Sequence, residues 1–162
     1  MKGTVAFTSL GCDKNRVDSE VMLGLLQERG YQAVADEAEA DIIVVNTCCF
    51  IRDALEESIE TILEMAKYKE EGVLKALLVT GCLAQRYKDE IMKEIPEVDA
   101  VLGTTSYDGI ITALDKVFEG ERYEEFKDIN VLPANSKKRM ITTGGYFEYL
   151  KIAEGCDKRC TY

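Results

Sequence analysis

Six cysteines are the residues of this sequence best suited to chemistry. Cys12, Cys48 and Cys82 each follow a short, mostly apolar run, and Cys156 and Cys160 form a second group near the end of the chain. The chain contains no histidine, which excludes Ser-His-Asp and Cys-His catalysis and zinc sites with mixed cysteine and histidine ligands. Any chemistry must therefore depend on sulfur, on carboxylates or on a bound cofactor.

The thiols of Cys12, Cys48 and Cys82 favour an iron-sulfur cluster. A single free cysteine is most often a small buried apolar residue, but three at equivalent positions indicate a shared task. Structural zinc needs four protein ligands and catalytic zinc usually includes histidine, so three thiolates suit iron and sulfur better. A cluster held by three cysteines leaves one iron without a protein ligand, where a substrate atom could bind.

Strands and helices alternate along most of the chain. Apolar runs predict strands over 5–10, 31–34, 41–46, 74–80 and 98–102. Helical spacing of apolar side chains predicts helices over 18–29, 52–69 and 110–118, and a short helix after Arg86 that stops before Pro96. We interpret Asp18, Ser19 and Glu20 as the cap and first turn of the first helix. The apolar stripe of the second helix is predicted to contain Leu55, Ile59, Ile62, Leu63 and Ala66.

This alternation predicts an α/β fold over residues 1–120, a three-layer αβα sandwich with a mostly parallel sheet of the flavodoxin or Rossmann kind. Residues 121–140, around Pro133, are expected to be a linker, and 141–162 to open a second domain with a strand over 142–152. In open parallel sheets the loops beyond the carboxyl ends of the strands share one edge. The three cysteines that follow strands should therefore meet there.

The formal net charge of −10 argues against direct binding of nucleic acid and favours a basic protein partner. No apolar run approaches the roughly 18 residues that a membrane span needs. The residues after Met1 contain no signal-peptide core. We therefore expect a cytoplasmic protein without membrane contact, whose cysteines stay reduced.

The cysteine motifs resemble those of the methylthiotransferases of the radical S-adenosylmethionine superfamily. They are Ser-Leu-Gly-Cys at 9–12, Asn-Thr-Cys-Cys at 46–49, Thr-Gly-Cys at 80–82 and Cys-x-x-x-Cys at 156–160. In that family the first domain carries an auxiliary 4Fe-4S cluster on three cysteines. A partial (β/α) barrel follows and opens with Cys-x-x-x-Cys-x-x-Cys, which holds the cluster that cleaves S-adenosylmethionine.

The resemblance covers essentially the whole chain and implies a role for five of its cysteines. Cys12, Cys48 and Cys82 would hold the auxiliary cluster, while Cys156 and Cys160 would be two of the three ligands of the radical cluster. The third ligand is expected directly after Tyr162. Residues 1–120 would then be the methylthiotransferase domain, and 141–162 the start of a truncated radical S-adenosylmethionine domain.

The resemblance also implies an activity for the complete enzyme, with two 4Fe-4S clusters and S-adenosylmethionine as cofactors. A carbon radical formed from S-adenosylmethionine would abstract hydrogen from the substrate, and the auxiliary cluster would present a methylated sulfur to the resulting substrate radical. Without the barrel, this chain alone is expected to be inactive and to contain no catalytic residue.

Residues 9–20, 81–87 and 149–156 resemble the branch of the family that adds a methylthio group to the β-carbon of an aspartate in a small-subunit ribosomal protein. Branches that modify tRNA usually show Gly-Cys-Gln-Met-Asn around the first cysteine. One residue departs from the family pattern, because Cys49 stands where a small residue, often glycine, is usual. Since adjacent side chains cannot easily both reach one cluster, we assign Cys48 as the ligand and Cys49 as a spare thiol.

Two alternatives stay open from the sequence. The first is a tRNA methylthiotransferase acting on a modified adenosine, with the same fold and clusters. The second is a non-catalytic, flavodoxin-like binding module with incidental cysteines. The loop residues Lys14, Asn15, Gln85 and Arg86 could contact cluster sulfurs or substrate, or only solvent, and the segment 103–106 could bind an anion at a helix start.

Overall fold

A computed structural model of the chain describes residues 2–131 and 139–161. Its centre is a six-stranded parallel sheet in the order β2-β1-β3-β4-β5-β6. The strands are β1 (Gly3–Ser9), β2 (Tyr31–Ala33), β3 (Ile42–Thr47), β4 (Ala76–Gly81), β5 (Ala100–Leu102) and β6 (Tyr123–Glu125). The helices are α1 (Asp13–Glu28), α2 (Arg52–Glu70), α3 (Cys82–Arg86), α4 (Lys88–Glu94) and α5 (Ile110–Phe118), with 3₁₀ turns at Glu37–Glu39 and Tyr107–Gly109. Among residues 2–131 and 139–161, no helix has both the length and the apolar composition needed to cross a membrane.

Helices cover both faces of the sheet because successive side chains of a buried strand point to opposite sides. Ile42 and Val44 of β3 pack in a core with α1 and α5, whereas Ile43 and Val45 pack in a second core with α2, α3 and α4. Every residue of β3 and β4 is buried. The predicted three-layer sandwich with a parallel sheet is therefore confirmed.

The strand register brings the ends of β1, β3 and β4 to the same edge of the sheet. Ser9 pairs with Asn46, and Thr47 pairs with Gly81. The order of the first five strands is that of flavodoxin-like sheets, in which ligands bind where the order reverses, here between β1 and β3. Cys48 and Cys82 each lie one residue beyond a paired position of this edge.

Two predictions about helix faces are wrong. Helix α1 begins at Asp13 rather than Asp18, so Asp18 and Glu20 lie inside the helix and are buried instead of forming its cap. In α2, Ile59 and Leu63 of the predicted apolar stripe are 39% and 48% exposed, while Ser58 is buried. In α1, Asp18 and Glu20 meet partners more than a hundred positions away. In α2, Ser58 is buried because it bonds the backbone of Cys48. Local spacing reveals neither contact.

The part of the chain after residue 120 also differs from expectation. Strand β6 lies in the range predicted to be a linker, because the open edge of β5 offers its backbone as a partner. Residues 132–138 of that predicted linker, with Pro133, lie outside the described residues. The strand expected over 142–152 is not formed, since this segment lies against α1 rather than beside a strand. The division into two domains stays a prediction.

Candidate functional site

A cleft of about 810 Å³ opens at the carboxyl edge of the sheet, and four cysteines line it. Cys12 is exposed, Cys48 is buried, and Cys49 and Cys82 are half-buried. The structure thus brings together the three cysteines that were expected to meet and adds Cys49 to them. Their role as metal ligands stays a prediction.

Two glycines allow the loops of this cleft to approach closely. A Cβ on Gly11 would lie 2.8 Å from Sγ of Cys48, and a Cβ on Gly81 would lie 2.4 Å from the carbonyl oxygen of Thr47. Both glycines have positive φ angles, +86° and +96°, which other residues rarely adopt. Glycine at these two positions therefore lets the cysteine loops pack against one another.

Buried side-chain amides connect the loop after β1 to the loop after β3. Nδ2 of Asn15 donates to the carbonyl oxygens of Leu10 and Thr47, each at 2.9 Å. Nδ2 of Asn46 donates to the carbonyl oxygen of Asn15 at 2.8 Å and to Oγ of Ser19 at 3.0 Å. Buried networks that are fully bonded hold a single arrangement of the backbone. The positions of both cysteine loops are set in this way.

A serine of α2 fixes the backbone at Cys48. The N–H of Cys48 donates to Oγ of Ser58 at 3.0 Å, and that hydroxyl donates to the Cys48 carbonyl oxygen at 2.8 Å. Oγ1 of Thr47 donates to the Thr80 carbonyl oxygen at 2.6 Å and links the ends of β3 and β4. Sequence reasoning missed Ser58, Asn46 and Thr47. The sequence did contain a signal for them: Ser58 is a polar residue on the buried face of α2, and Asn46 and Thr47 are polar residues at the end of an apolar strand.

The thiols of the cleft influence one another electrostatically. Burial raises the pKa of Cys82 to about 11, and the thiols of Cys48, Cys49 and Cys12 add to the increase, while Lys14 opposes it. A thiol must lose its proton to bind a metal. Binding of iron by Cys82 would therefore release a proton at neutral pH.

The thiols of the cleft are ligands of the type that iron-sulfur clusters use. Within residues 2–131 and 139–161, no three Cys, Asp or Glu side chains converge as the ligands of one ion do. Thiolates that hold a 4Fe-4S cluster bind different irons, so they need not converge on one point. Soft thiolates from three adjacent strand ends, without histidine, are the ligands that such clusters use.

Other polar residues expected near the cysteines also line the cleft, among them Lys14, Gln85 and Arg86. Gln85 has a structural contact, since its Oε1 accepts from the N–H of Thr104 at 3.2 Å. In the segment 103–106, Oγ of Ser106 accepts from the N–H of Lys127 at 2.9 Å. This serine hydroxyl therefore holds the chain after β6 in place, and no observation supports the predicted anion site.

Residues 139–154, which we call the strap, are bound to α1 by the buried carboxylate of Glu20. This side chain is fully buried and accepts from Nε of Arg139 at 2.7 Å, from the N–H of Thr142 at 2.7 Å and from Oγ1 of Thr142 at 2.6 Å. Burial by itself would raise the pKa of Glu20, but the hydrogen bonds from Thr142 and Arg139 outweigh the effect of burial, so the pKa is lowered. The strap therefore depends on an ionised Glu20.

A second ion pair joins the other end of the strap to α1. Nζ of Lys151 lies 2.8 and 2.9 Å from the two carboxylate oxygens of Asp18 and also pairs with Glu154. Nζ of Lys14 donates to the Glu154 carbonyl oxygen at 2.7 Å. Glu154 lines the cleft, but Cys156 and Cys160 are exposed and do not. The structure therefore does not join the second cysteine group to the first.

The carboxyl group of Asp18 is expected to make stability depend on pH. Burial raises its pKa from 3.8 to about 6, although Lys151 opposes the shift. The folded state then binds this proton more tightly than the unfolded state, so stability falls as pH rises from about 4 to about 6, by about 3 kcal/mol at most. Asp18→Asn should remove this fall, as measured by urea unfolding across that range.

The control for this experiment is Asp13→Asn, at an exposed position in the first turn of the same helix. It should keep the pH profile of the unmodified chain. Equal profiles for Asp18→Asn and the unmodified chain would contradict the role given to the buried carboxyl.

Known proteins resemble this chain along its whole length. Proteins named ribosomal protein uS12 methylthiotransferase RimO are 68% identical in Lachnoclostridium phytofermentans, 52% in Desulforudis audaxviator and 49% in Acetivibrio thermocellus. These matches cover 98%, 98% and 100% of the chain, but 36%, 35% and 37% of the relatives. The chain thus spans about a third of the length of the curated relatives it matches, and the resemblance inferred from the cysteine motifs is confirmed.

A family model covers more than half of the chain. The model of Uncharacterized protein family UPF0004 matches residues 4–103. The matched range contains β1 to β5 and all four cysteines of the cleft. The chain therefore belongs to the family described as Uncharacterized protein family UPF0004.

Proposed function

We propose that this chain is the part of a ribosomal protein uS12 methylthiotransferase that holds the auxiliary 4Fe-4S cluster on Cys12, Cys48 and Cys82. The observation that carries the proposal is the meeting of these three thiols in one cleft at the switch point of the sheet. The names of the relatives support uS12 as the substrate, and the family resemblance implies that the cluster presents a methylated sulfur to it. A bound cluster supplies iron that can hold sulfur, which no protein side chain provides.

The residues around the thiols prepare the cleft for this task. Ser58 holds the backbone of Cys48, and the amide of Asn15 fixes the neighbouring loop, so two ligands are positioned before any metal binds. Phe50 and Ile51 add apolar surface at the cleft. Lys14 places a positive charge near Cys82 and opposes the rise in the pKa of that thiol.

The second cysteine group has a separate role in this proposal. Cys156 and Cys160, with a third cysteine from a part of the enzyme outside these 162 residues, hold the cluster that cleaves S-adenosylmethionine. The chain alone is then inactive and cytoplasmic, and its acidic surface suits a basic ribosomal protein as partner. The division at residues 120 and 140 belongs to the same proposal.

The test begins with anaerobic reconstitution of the 162-residue chain carrying Cys156→Ala and Cys160→Ala, using ferrous iron and sulfide. About four irons per chain and a 4Fe-4S spectrum are expected. Adding Cys12→Ala, Cys48→Ala and Cys82→Ala together should lower bound iron to background. Equal iron in the two proteins, or no cluster in the first, contradicts the proposal.

The substrate is tested with the complete enzyme that contains this chain. Supplied with S-adenosylmethionine, a sulfur source and a reductant, it should add a methylthio group to an aspartate of uS12, as read by mass spectrometry of uS12 peptides. Cys48→Ala in the complete enzyme should abolish the product. Methylthiolated tRNA with unmodified uS12 would instead support the tRNA alternative.

A further inference from the structure

An apolar groove of about 410 Å³ lies between α2 and the side of the protein formed by α3 and α4. Most of its lining consists of apolar side chains that follow one another at intervals of one helical turn. They are Leu55, Ile59 and Leu63 on α2, and Leu83, Tyr87, Ile91 and Ile95 on the opposite wall. Two of the α2 residues, Ile59 and Leu63, are exposed, which is the reverse of what the helical spacing predicted. Adjoining exposed apolar side chains of this size mark interaction sites.

The shape of the groove suits an amphipathic helix. Leu55 and Leu63 are eight residues apart on one helix, which corresponds to about 12 Å, or two turns. Grooves between helices bind the apolar face of a helix through side chains three, four or seven positions apart. The groove therefore has room for two or three apolar side chains of a partner segment.

Carboxylates border the groove. Glu90 and Glu94 belong to its lining and are exposed. Glu94 lies 3.8 Å from Nζ of Lys93, and exposed pairs of this kind contribute little. Helix α2 contains six acidic and three basic side chains, and α4 contains three and two. Since complementary charge selects partners, the occupant should carry Lys or Arg beside its apolar residues.

The groove adjoins the cysteine cleft. Ala54 and Cys82 line the cleft. The residues that follow them in the chain, Leu55 and Leu83, line the groove. A polypeptide bound in the groove can therefore extend into the cleft along the protein surface. In the proposed function, the molecule that must reach the cleft is the substrate protein.

We propose that the groove binds a basic, amphipathic segment of the substrate protein uS12 beside the segment that enters the cleft. This assignment rests on the proposed function. The groove then contributes affinity and orientation through apolar contacts and rim carboxylates, separately from the cysteines. The same carboxylates would repel the phosphates of a tRNA.

Binding of purified uS12 to the 162-residue chain tests the apolar part of the groove without any cluster. Ile59→Ala combined with Leu63→Ala should weaken binding at least about tenfold in isothermal titration calorimetry, because apolar contacts are lost. Phe118→Ala is the matched control, since Phe118 is 49% exposed on α5, on the other side of the sheet. It should bind like the unmodified chain. Equal affinity of the double variant and the unmodified chain, or no binding to either, would overturn the assignment.

A second pair of variants tests the charge of the rim. Glu90→Gln combined with Glu94→Gln should weaken binding about three- to tenfold at low salt and by less at high salt, because exposed charges are screened. Glu57→Gln removes an exposed carboxylate of α2 outside the groove lining and should have no such effect. Unchanged affinity of the Glu90 and Glu94 variant at low salt would contradict a basic occupant.

Crosslinking identifies the occupant in the complete enzyme. With p-benzoylphenylalanine in place of Leu63, irradiation should join the groove to a uS12 peptide that contains Lys or Arg. A product with another part of the same polypeptide or with a second copy would show that the groove is already covered. Either product, or none, would overturn the assignment.

The two proposals fail in different ways. If uS12 gains a methylthio group but binds the groove variants as tightly as the unmodified enzyme, only the role of the groove is contradicted. If tRNA is modified and uS12 is not, the proposed function fails and the role of the groove fails with it.

Discussion

Replacing Glu20 with glutamine is expected to detach the strap from α1. The carboxylate is fully buried and bonded to Arg139 and Thr142. The amide of glutamine would turn N–H groups toward the guanidinium of Arg139, which itself can only donate. Removing one partner of a buried ion pair typically costs about 3–5 kcal/mol, because the remaining charge stays buried and unpaired.

Amide hydrogen exchange measures this loss where it occurs. The N–H of Met140 donates to the Glu20 carbonyl oxygen at 3.0 Å, and the N–H of Thr142 donates to its carboxylate. Both amides should exchange roughly 100-fold faster or more in Glu20→Gln, which corresponds to about 3 kcal/mol of opening free energy. Residues of β3 and β4 should keep their protection, since both strands are buried and hydrogen-bonded on both sides within the sheet.

Glu57→Gln is the control for the same chemical change on a surface. Glu57 is exposed on α2, and its carbonyl oxygen accepts from Oγ1 of Thr61. Glu57→Gln should change the free energy of unfolding by no more than about 0.5 kcal/mol. Unchanged exchange at Met140 and Thr142 in Glu20→Gln would show that the strap does not depend on this carboxylate.

Replacing Gly81 with alanine is expected to lower the free energy of unfolding by about 3–5 kcal/mol, from backbone strain and overpacking together. The added Cβ would lie 2.4 Å from the carbonyl oxygen of Thr47 and 2.5 Å from Oδ1 of Asn46. Thr47 belongs to β3, which is hydrogen-bonded on both sides and cannot move away. The change should therefore disturb the cleft beside Cys82 as well as the stability of the sheet.

Gly72→Ala separates the steric contact from the cost of the backbone angle. Gly72 also has a positive φ, +78°, but a Cβ there would meet nothing within 4 Å. Its replacement should cost only about 1–2 kcal/mol, the usual penalty for a left-handed residue. Denaturant unfolding of both variants gives the comparison. Equal losses of unfolding free energy in the two variants would mean that the close approach of Gly81 to Thr47 contributes nothing. If Gly81→Ala fails to fold while Gly72→Ala folds, the steric cost at Gly81 is larger than expected but of the same sign.

Several features of this protein follow from local sequence alone. Continuous apolar runs such as 42–45 are long enough for strands buried on both faces, and helices between them require parallel crossovers. The placement of Cys12, Cys48 and Cys82 along one cleft follows from the same reasoning, because each comes after a strand and parallel strands end at one edge. The α/β sandwich and the meeting of these cysteines could therefore be predicted, and the structure agrees.

Contacts between distant residues could not be predicted in this way. Asp18, Ser19 and Glu20 have the residue types of a helix cap, and only the packed structure shows that Glu20 meets Arg139 and Thr142, more than a hundred positions away. Strand β6 was missed because a short polar segment becomes a strand only when an open sheet edge supplies its hydrogen bonds. The predicted strand over 142–152 failed for the opposite reason, since no strand lies beside it.

The cysteines show which features the sequence determines by itself and which depend on the tertiary structure. Their number, their places after strands and the absence of histidine are properties of the sequence, and these alone indicate sulfur-based metal chemistry. The presence of Cys49 in the cleft was decided only by the tertiary structure. Ser58, ten residues along the chain, bonds the N–H and the carbonyl oxygen of Cys48, and Cys49 packs against the core of α2, α3 and α4 at the same cleft. Local sequence shows neither contact.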